Sequence, residues 1–208
     1  MQTFMLTKRK LPLLIAFIGC VEIAIYLWAV WTTETEFVFD KCARNSGRVS
    51  SFINLAILLL IGFYGLKKIY LDEKTRDAFW ILITLFAINH LVHFFFVFQN
   101  FRHHTMELSL TENLYGFITF IFILIVPIIL WTNNNLNKVL YAGVTLHLFN
   151  VSYFIMKTFH SKVTPEKPAY HNQLGIVVTT LALIYILYRI FREAKHTSHL
   201  PTLRGLKG

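Results

Sequence analysis

The chain has 208 residues, 55% of them hydrophobic and 15% charged, with a mean hydropathy of +0.54. A water-soluble domain of this size would expose much of that apolar surface, so the composition excludes an ordinary soluble enzyme or binding module and marks an integral membrane protein. The formal charge of +9 falls mainly in the flanks of apolar runs, where it sets topology and attracts anionic lipid, and no basic pattern points to nucleic acid.

A helix crossing about 30 Å of hydrocarbon needs roughly 20 mostly apolar residues. Runs of that size fall at about Leu11 to Trp31, Ser50 to Leu66, Ala78 to Phe101, Leu114 to Trp131, Val139 to Phe159 and His171 to Tyr188. The predicted fold is all-α: one domain over residues 1–208, a six-helix transmembrane bundle whose short loops set consecutive helices antiparallel. The first run follows Lys8-Arg9-Lys10, lacks a small-residue cleavage site and ends in Trp28 and Trp31, so it is predicted to be a retained helix and not a signal peptide. Glu22 is its one carboxylate, near mid-span, where an acid serves proton or quinone chemistry or stays neutral and bonded to a neighbouring helix.

Cys20 lies inside that first helix and Cys42 in the predicted first outer loop, at depths too different for a bridge. Ser46-Gly47-Arg48 leads into the second run, and the third carries no charge from Ala78 through Phe101 yet holds His90 and His93 and ends in Arg102-His103-His104. The fourth contains Pro127 and is followed by an Asn133-Asn134-Asn135 turn, and the fifth carries His147 and His160. A loop from Pro165 to Pro168 leads to the sixth, which His171 opens, and His196 and His199 lie in the basic tail. No Gly-rich dinucleotide fingerprint occurs, and the tail is too short for a flavin or nicotinamide domain, so a reductant is expected from elsewhere.

Orientation follows from the flanks. With the N-terminus cytoplasmic, thirteen of the twenty Lys and Arg residues fall on the cytoplasmic side, leaving Lys41, Arg44, Arg48, Arg102, Lys157, Lys162 and Lys167 outside. Both termini are therefore predicted to be cytoplasmic, in a cell's inner (plasma) membrane.

His90 and His104 are fourteen residues apart, which on an ideal helix leaves them about 40° from the same face and about 21 Å apart along the axis. His103 would point about 140° away, so geometry favours His104. His147 and His160 are thirteen apart, about 20 Å in rise but about 140° apart in direction unless the helix tightens to about 3.25 residues per turn. Helices three and five run in the same direction, so His90 is predicted to face His147 and His104 to face His160. Two such pairs would each close both axial positions of a haem iron, which favours electron transfer over oxygen binding. Phe94, Phe95, Phe96 and Phe98 suit a flat macrocycle, or lipid and core packing. Arg48, with Arg102 and Lys157 as alternatives, could clamp a haem propionate or anchor the interface. His93, one turn from His90, is the rival ligand on helix three.

With these residues in view, the chain resembles the ferric-reductase-like transmembrane domain of ferric reductases and NADPH oxidases, shared by the small haem subunit of the bacterial periplasmic methionine sulfoxide reductase system. The resemblance covers most of the chain: six helices, Ser46-Gly47-Arg48 opening helix two, the helix-three pair at fourteen and Leu146-His147 to His160 at thirteen. It implies two b-type haems between helices three and five, and the thirteen-residue interval is itself characteristic of the family. Like the small bacterial subunit, the chain lacks a flavin domain; unlike it, the chain carries a second histidine on helix three. The expected function is an oxidoreductase electron-transfer subunit passing electrons through haem b from a separate flavoprotein or quinol to ferric iron, oxygen or an external reductase partner. A proton or metal transporter lined by the histidines and Glu22 is the alternative, and a haem-binding scaffold without redox turnover is a third.

Overall fold

The structure is a computed structural model that describes residues 2–104, 113–132, 138–161 and 170–197, without the side chains of residues 2–9, 138, 139, 171, 196 and 197. The expectations for Asn133–Asn135, Pro165–Pro168, Lys162, Lys167 and His199 lie outside the described residues, as do those for the side chains of His171 and His196. Six long helices follow in order: α1 Gln2–Thr32, α2 Val38–Leu71, α3 Glu73–His103, α4 Leu114–Thr132, α5 Lys138–His160 and α6 Tyr170–Thr197.

Five segments, Lys10–Thr32, Thr35–Leu71, Glu73–His103, Leu114–Thr132 and Asn172–Lys195, are long and apolar enough to cross a membrane. The sixth predicted span corresponds to α5, a helix of 23 residues whose buried face carries His147, Asn150 and Ser152 beside Leu148 and Val151. Elsewhere the bundle turns Phe17, Leu27, Phe52, Phe63, Ile128, Leu181 and Phe191 outward. That apolar exterior is what a lipid solvent requires.

The second helix opens twelve residues before the predicted Ser50, so Lys41, Cys42 and Arg44 lie on α2 and not in a loop. The charges of this stretch hide its helical period. Val38, Cys42, Ser46, Ser50 and Asn54 recur every fourth residue on the buried face, and Arg44 pairs with Asp40 at 2.6 Å on the outer one. At 1.5 Å per residue α2 is about 51 Å long, more than the hydrocarbon thickness, so its first turns project beyond it.

This long helix is the axis of the bundle and packs against α1, α3, α5 and α6. One half of its buried stripe is small and polar; the other half, Ile57, Leu58, Ile61 and Ile69, joins Phe79, Ile83, Phe86, Ile123, Leu130, Leu148 and Ile186 in the apolar core. Small residues let helix backbones approach closely, the main source of association where lipid is as apolar as the core. By contrast α3 and α5 make little direct backbone contact and are linked through α2 and α4. The four tryptophans lie toward the ends of the spans: Trp28 and Trp31 on α1, with Lys41 over the Trp28 ring at 4.1 Å, and Trp80 and Trp131 with tilted rings 5.3 Å apart at the opposite end.

Near that opposite end α2 breaks at Gly65, whose φ of 75° and ψ of 155° lie in a region open in practice only to glycine. The break frees backbone groups that α6 takes up: Arg189 donates to the carbonyls of Gly62 and Phe63, while Glu193 Oε2 accepts from the Lys67 amide at 3.0 Å. Arg189 and Glu193 also pair with each other at 3.3 Å. A Cβ on Gly65 would lie 1.9 Å from Glu193 Oε1, so side chain and backbone both demand glycine here. Beyond the break, Asp72 caps α3 by accepting the Thr75 amide at 3.0 Å, which holds its carboxyl below the usual range. That cap contributes fully above the unfolded-state pKa and is lost as pH falls through the lowered folded value.

Gly65→Ala should lower stability by about 1–3 kcal/mol through backbone strain and the clash with Glu193. Arg189→Ala should cost a similar amount, about 1–3 kcal/mol, by orphaning two carbonyls. Thermal unfolding in detergent checks both; unchanged midpoints would contradict the latch.

Candidate functional site

The small polar stripe of α2 exists to meet α3. Asn89 is wholly buried and uses its side-chain amide twice, donating to the Ser46 carbonyl at 3.2 Å and to Ser50 Oγ at 2.8 Å. Ser46 Oγ in turn donates to Glu22 Oε1 at 2.9 Å, tying α1 into the same seam. Gly47 lets the His93 ring rest on the α2 backbone, where an added Cβ would stand 3.1 Å from Cε1. One turn down, Ser50 Oγ lies 3.4 Å from His90 Nδ1. Residues 46–50 of α2 thus form a cradle for residues 89–93 of α3, and Ser46-Gly47 is explained by contact: a donor, then a position with no side chain.

His90 leaves this seam toward the interior. Its ring stacks on Phe86 at 5.5 Å and 17°, lies 5.2 Å from His93 and 6.2 Å from Phe120. The other edge of the same Phe86 environment is α5: His147 meets the Phe86 ring at 6.2 Å and 90°. His90 and His147 therefore border one aromatic side chain. His147 is 1% exposed, and neither ring nitrogen has a hydrogen-bond partner among the described residues. Leaving a buried polar group unsatisfied costs about 1–3 kcal/mol. Other buried side-chain atoms without a partner among the described residues are spread along the bundle, from Glu22 Oε2 on α1 and Tyr70 Oη on α2 to Thr119 on α4 and Ser152 on α5. Close by, Asn150 is satisfied, accepting from Tyr115 Oη of α4 at 2.7 Å.

Of the four phenylalanines following His93, Phe94 faces this region, stacked on Phe120 at 4.5 Å. Phe95 and Phe98 are exposed, and Phe96 packs with Ala29, Val38 and Cys42.

The residues predicted for an outer level are arranged differently. His104 caps α3, with ring neighbours Phe37 at 6.2 Å and His103 at 5.8 Å, while His103 itself lies 6.4 Å from Phe39. Both therefore border the α1–α2 connection. His160 is exposed on the last turn of α5. Arg48 donates to Asn45 Oδ1 at 3.0 Å and borders a cavity of about 170 Å³ between α2, α5 and α6, shared with Asn54, Phe159 and Thr179. Cys20 and Cys42 are free thiols.

Among the described residues no three His, Cys, Asp or Glu side chains cluster closely enough to hold a bare metal ion. A ligand that takes one histidine on each face needs only two. The residues at mid-membrane fit such a ligand: an imidazole anchored at Nδ1 on one helix, and opposite it an imidazole with both nitrogens unclaimed. Sequence reasoning found His90, His147 and Glu22 but missed Ser46, Ser50, Asn89 and Phe86; the four-residue recurrence of small polar residues through Cys42, Ser46, Ser50 and Asn54 was the available signal. Comparison with family models, curated proteins and solved structures gives no match to this chain.

Asn89→Ala should lower stability by about 1–3 kcal/mol, because it removes two donors to buried acceptors. A thermal midpoint equal to that of the unmodified protein would show that the seam does not hold α3 on α2.

Proposed function

We propose that this protein is a multi-pass membrane b-type cytochrome that moves electrons across the membrane through bis-histidine haem. His90 and His147 would hold an inner haem b; a second, outer one would draw His104 from beside the α1–α2 connection and His160 from the last turn of α5. The observation that carries the reading is the pair at mid-membrane: two histidines on separate helices border one phenylalanine, and one of them is buried with both ring nitrogens unpartnered. Ionisable side chains at this depth are costly and mark function. When bound, haem would supply a one-electron iron couple.

The chain's own residues do the rest. His90 and His147 ligate, Phe86 and Phe120 keep water from the iron level, and Arg48 is the candidate for a propionate at the outer level. Electrons come from a separate flavoprotein or a quinol and leave to ferric iron, oxygen or a partner reductase. On the distribution of Lys and Arg, both termini face the cytoplasm of a cell whose plasma membrane holds the bundle.

A second reading has its own observation. The seam sets Glu22, Ser46, Asn89, Ser50 and His90 in one polar cluster between α1, α2 and α3, and an acid and an imidazole inside a bundle are the groups a proton path would use. Proton flux in haem-free liposomes would favour transport.

Expressed with ample haem, the purified protein should give the reduced-minus-oxidised spectrum of low-spin haem b, with two haems per chain. His90→Ala and His147→Ala should each remove the inner pigment. Purified protein free of haem, or full pigment in both variants, would overturn the proposal.

A further inference from the structure

Every hydrogen of the α2–α3 seam can be assigned, and the assignment leaves one group with a choice. Asn89 spends both amide hydrogens, one on the Ser46 carbonyl and one on Ser50 Oγ. Ser50, 3% exposed, therefore keeps one lone pair and its own hydrogen, and the titratable side chain beside it is His90, whose Nδ1 lies 3.4 Å away. A hydroxyl serves either tautomer of an imidazole: it donates to a bare Nδ1 or accepts from a protonated one. A metal taking Nε2 requires the neutral ring to carry its proton on Nδ1. Ser50 is then turned to accept, and Asn89 keeps it in place.

His147 has no counterpart. Its Nδ1 is as buried as its Nε2 and neither has a partner among the described residues. The two histidines are thus unequal: one has a hydroxyl 3.4 Å from its Nδ1, and the other has no hydrogen-bond partner among the described residues.

Resting on the haem reading above, we propose that Ser50 is a positioning residue for His90: by accepting the Nδ1 hydrogen it fixes the tautomer, turns Nε2 toward α5 and strengthens the donor character of this ligand. Partners of metal-bound histidines act in this way, and their loss typically costs 10–100-fold in affinity. A richer donor also favours ferric over ferrous iron, so loss of the acceptor should favour reduction.

The test uses the full-length, haem-loaded chain in detergent. Ser50→Ala should release inner haem about tenfold faster or more and shift its reduction equilibrium toward the ferrous form. Ser50→Cys keeps the shape with a weaker acceptor and should fall between Ala and Ser; Ser51→Ala, whose hydroxyl bonds the Gly47 carbonyl instead, should match the unmodified protein. Should Ser50→Ala fail to accumulate, the Cys variant carries the comparison. Identical release rates and midpoint potentials across Ser50, its Cys and its Ala variants, with haem bound, would overturn this role while leaving haem binding intact. Retention of all pigment in His90→Ala would instead remove the reading on which it rests.

Discussion

The structure depends on polar contact between α2 and α3 in the interior of an otherwise apolar bundle. In lipid there is no hydrophobic drive bringing one helix to another, so close approach and hydrogen bonds must do it. Cys42, Ser46, Gly47 and Ser50 keep the α2 face narrow, and Asn89 crosses the gap with two donors. Because His90 follows Asn89 in sequence, anchoring one sets the position of the other. The seam that assembles the bundle also aims its central histidine.

The opposite end of α2 repeats the theme with different chemistry. There the helix breaks at Gly65, and backbone groups left without partners would be expensive in a bilayer. A single turn of α6 supplies both signs of partner, Arg189 for two carbonyls and Glu193 for an amide. The axial helix is thus fixed to α3 over one half and to α6 near its end. Between these anchors α3 and α5 stand apart with Phe86 against a histidine of each, and that separation is what a ligand held from two sides needs.

Much of this was legible in the sequence. Apolar runs gave the helices, since hydropathy over about 20 residues reports directly on bilayer thickness. The start of α2 was not legible, because Asp40, Lys41 and Arg44 read as a loop, while the buried period passes through Val38, Cys42 and Ser46 between them. Spacing alone put His90 and His147 at one depth. It did not reveal Ser50 or Asn89, because a hydrogen bond across two helices depends on which faces meet. At the outer level, His104 meets Phe37 of the α1–α2 connection at 6.2 Å, a contact that helix periodicity cannot express.

The account stands or falls on iron held between His90 and His147. Low-temperature electron paramagnetic resonance of the oxidised, purified chain measures this most directly. The account predicts low-spin ferric signals of bis-imidazole type, one of which disappears in His147→Ala; a chain without a ferric haem signal, or one whose signals are unchanged by that substitution, would contradict it.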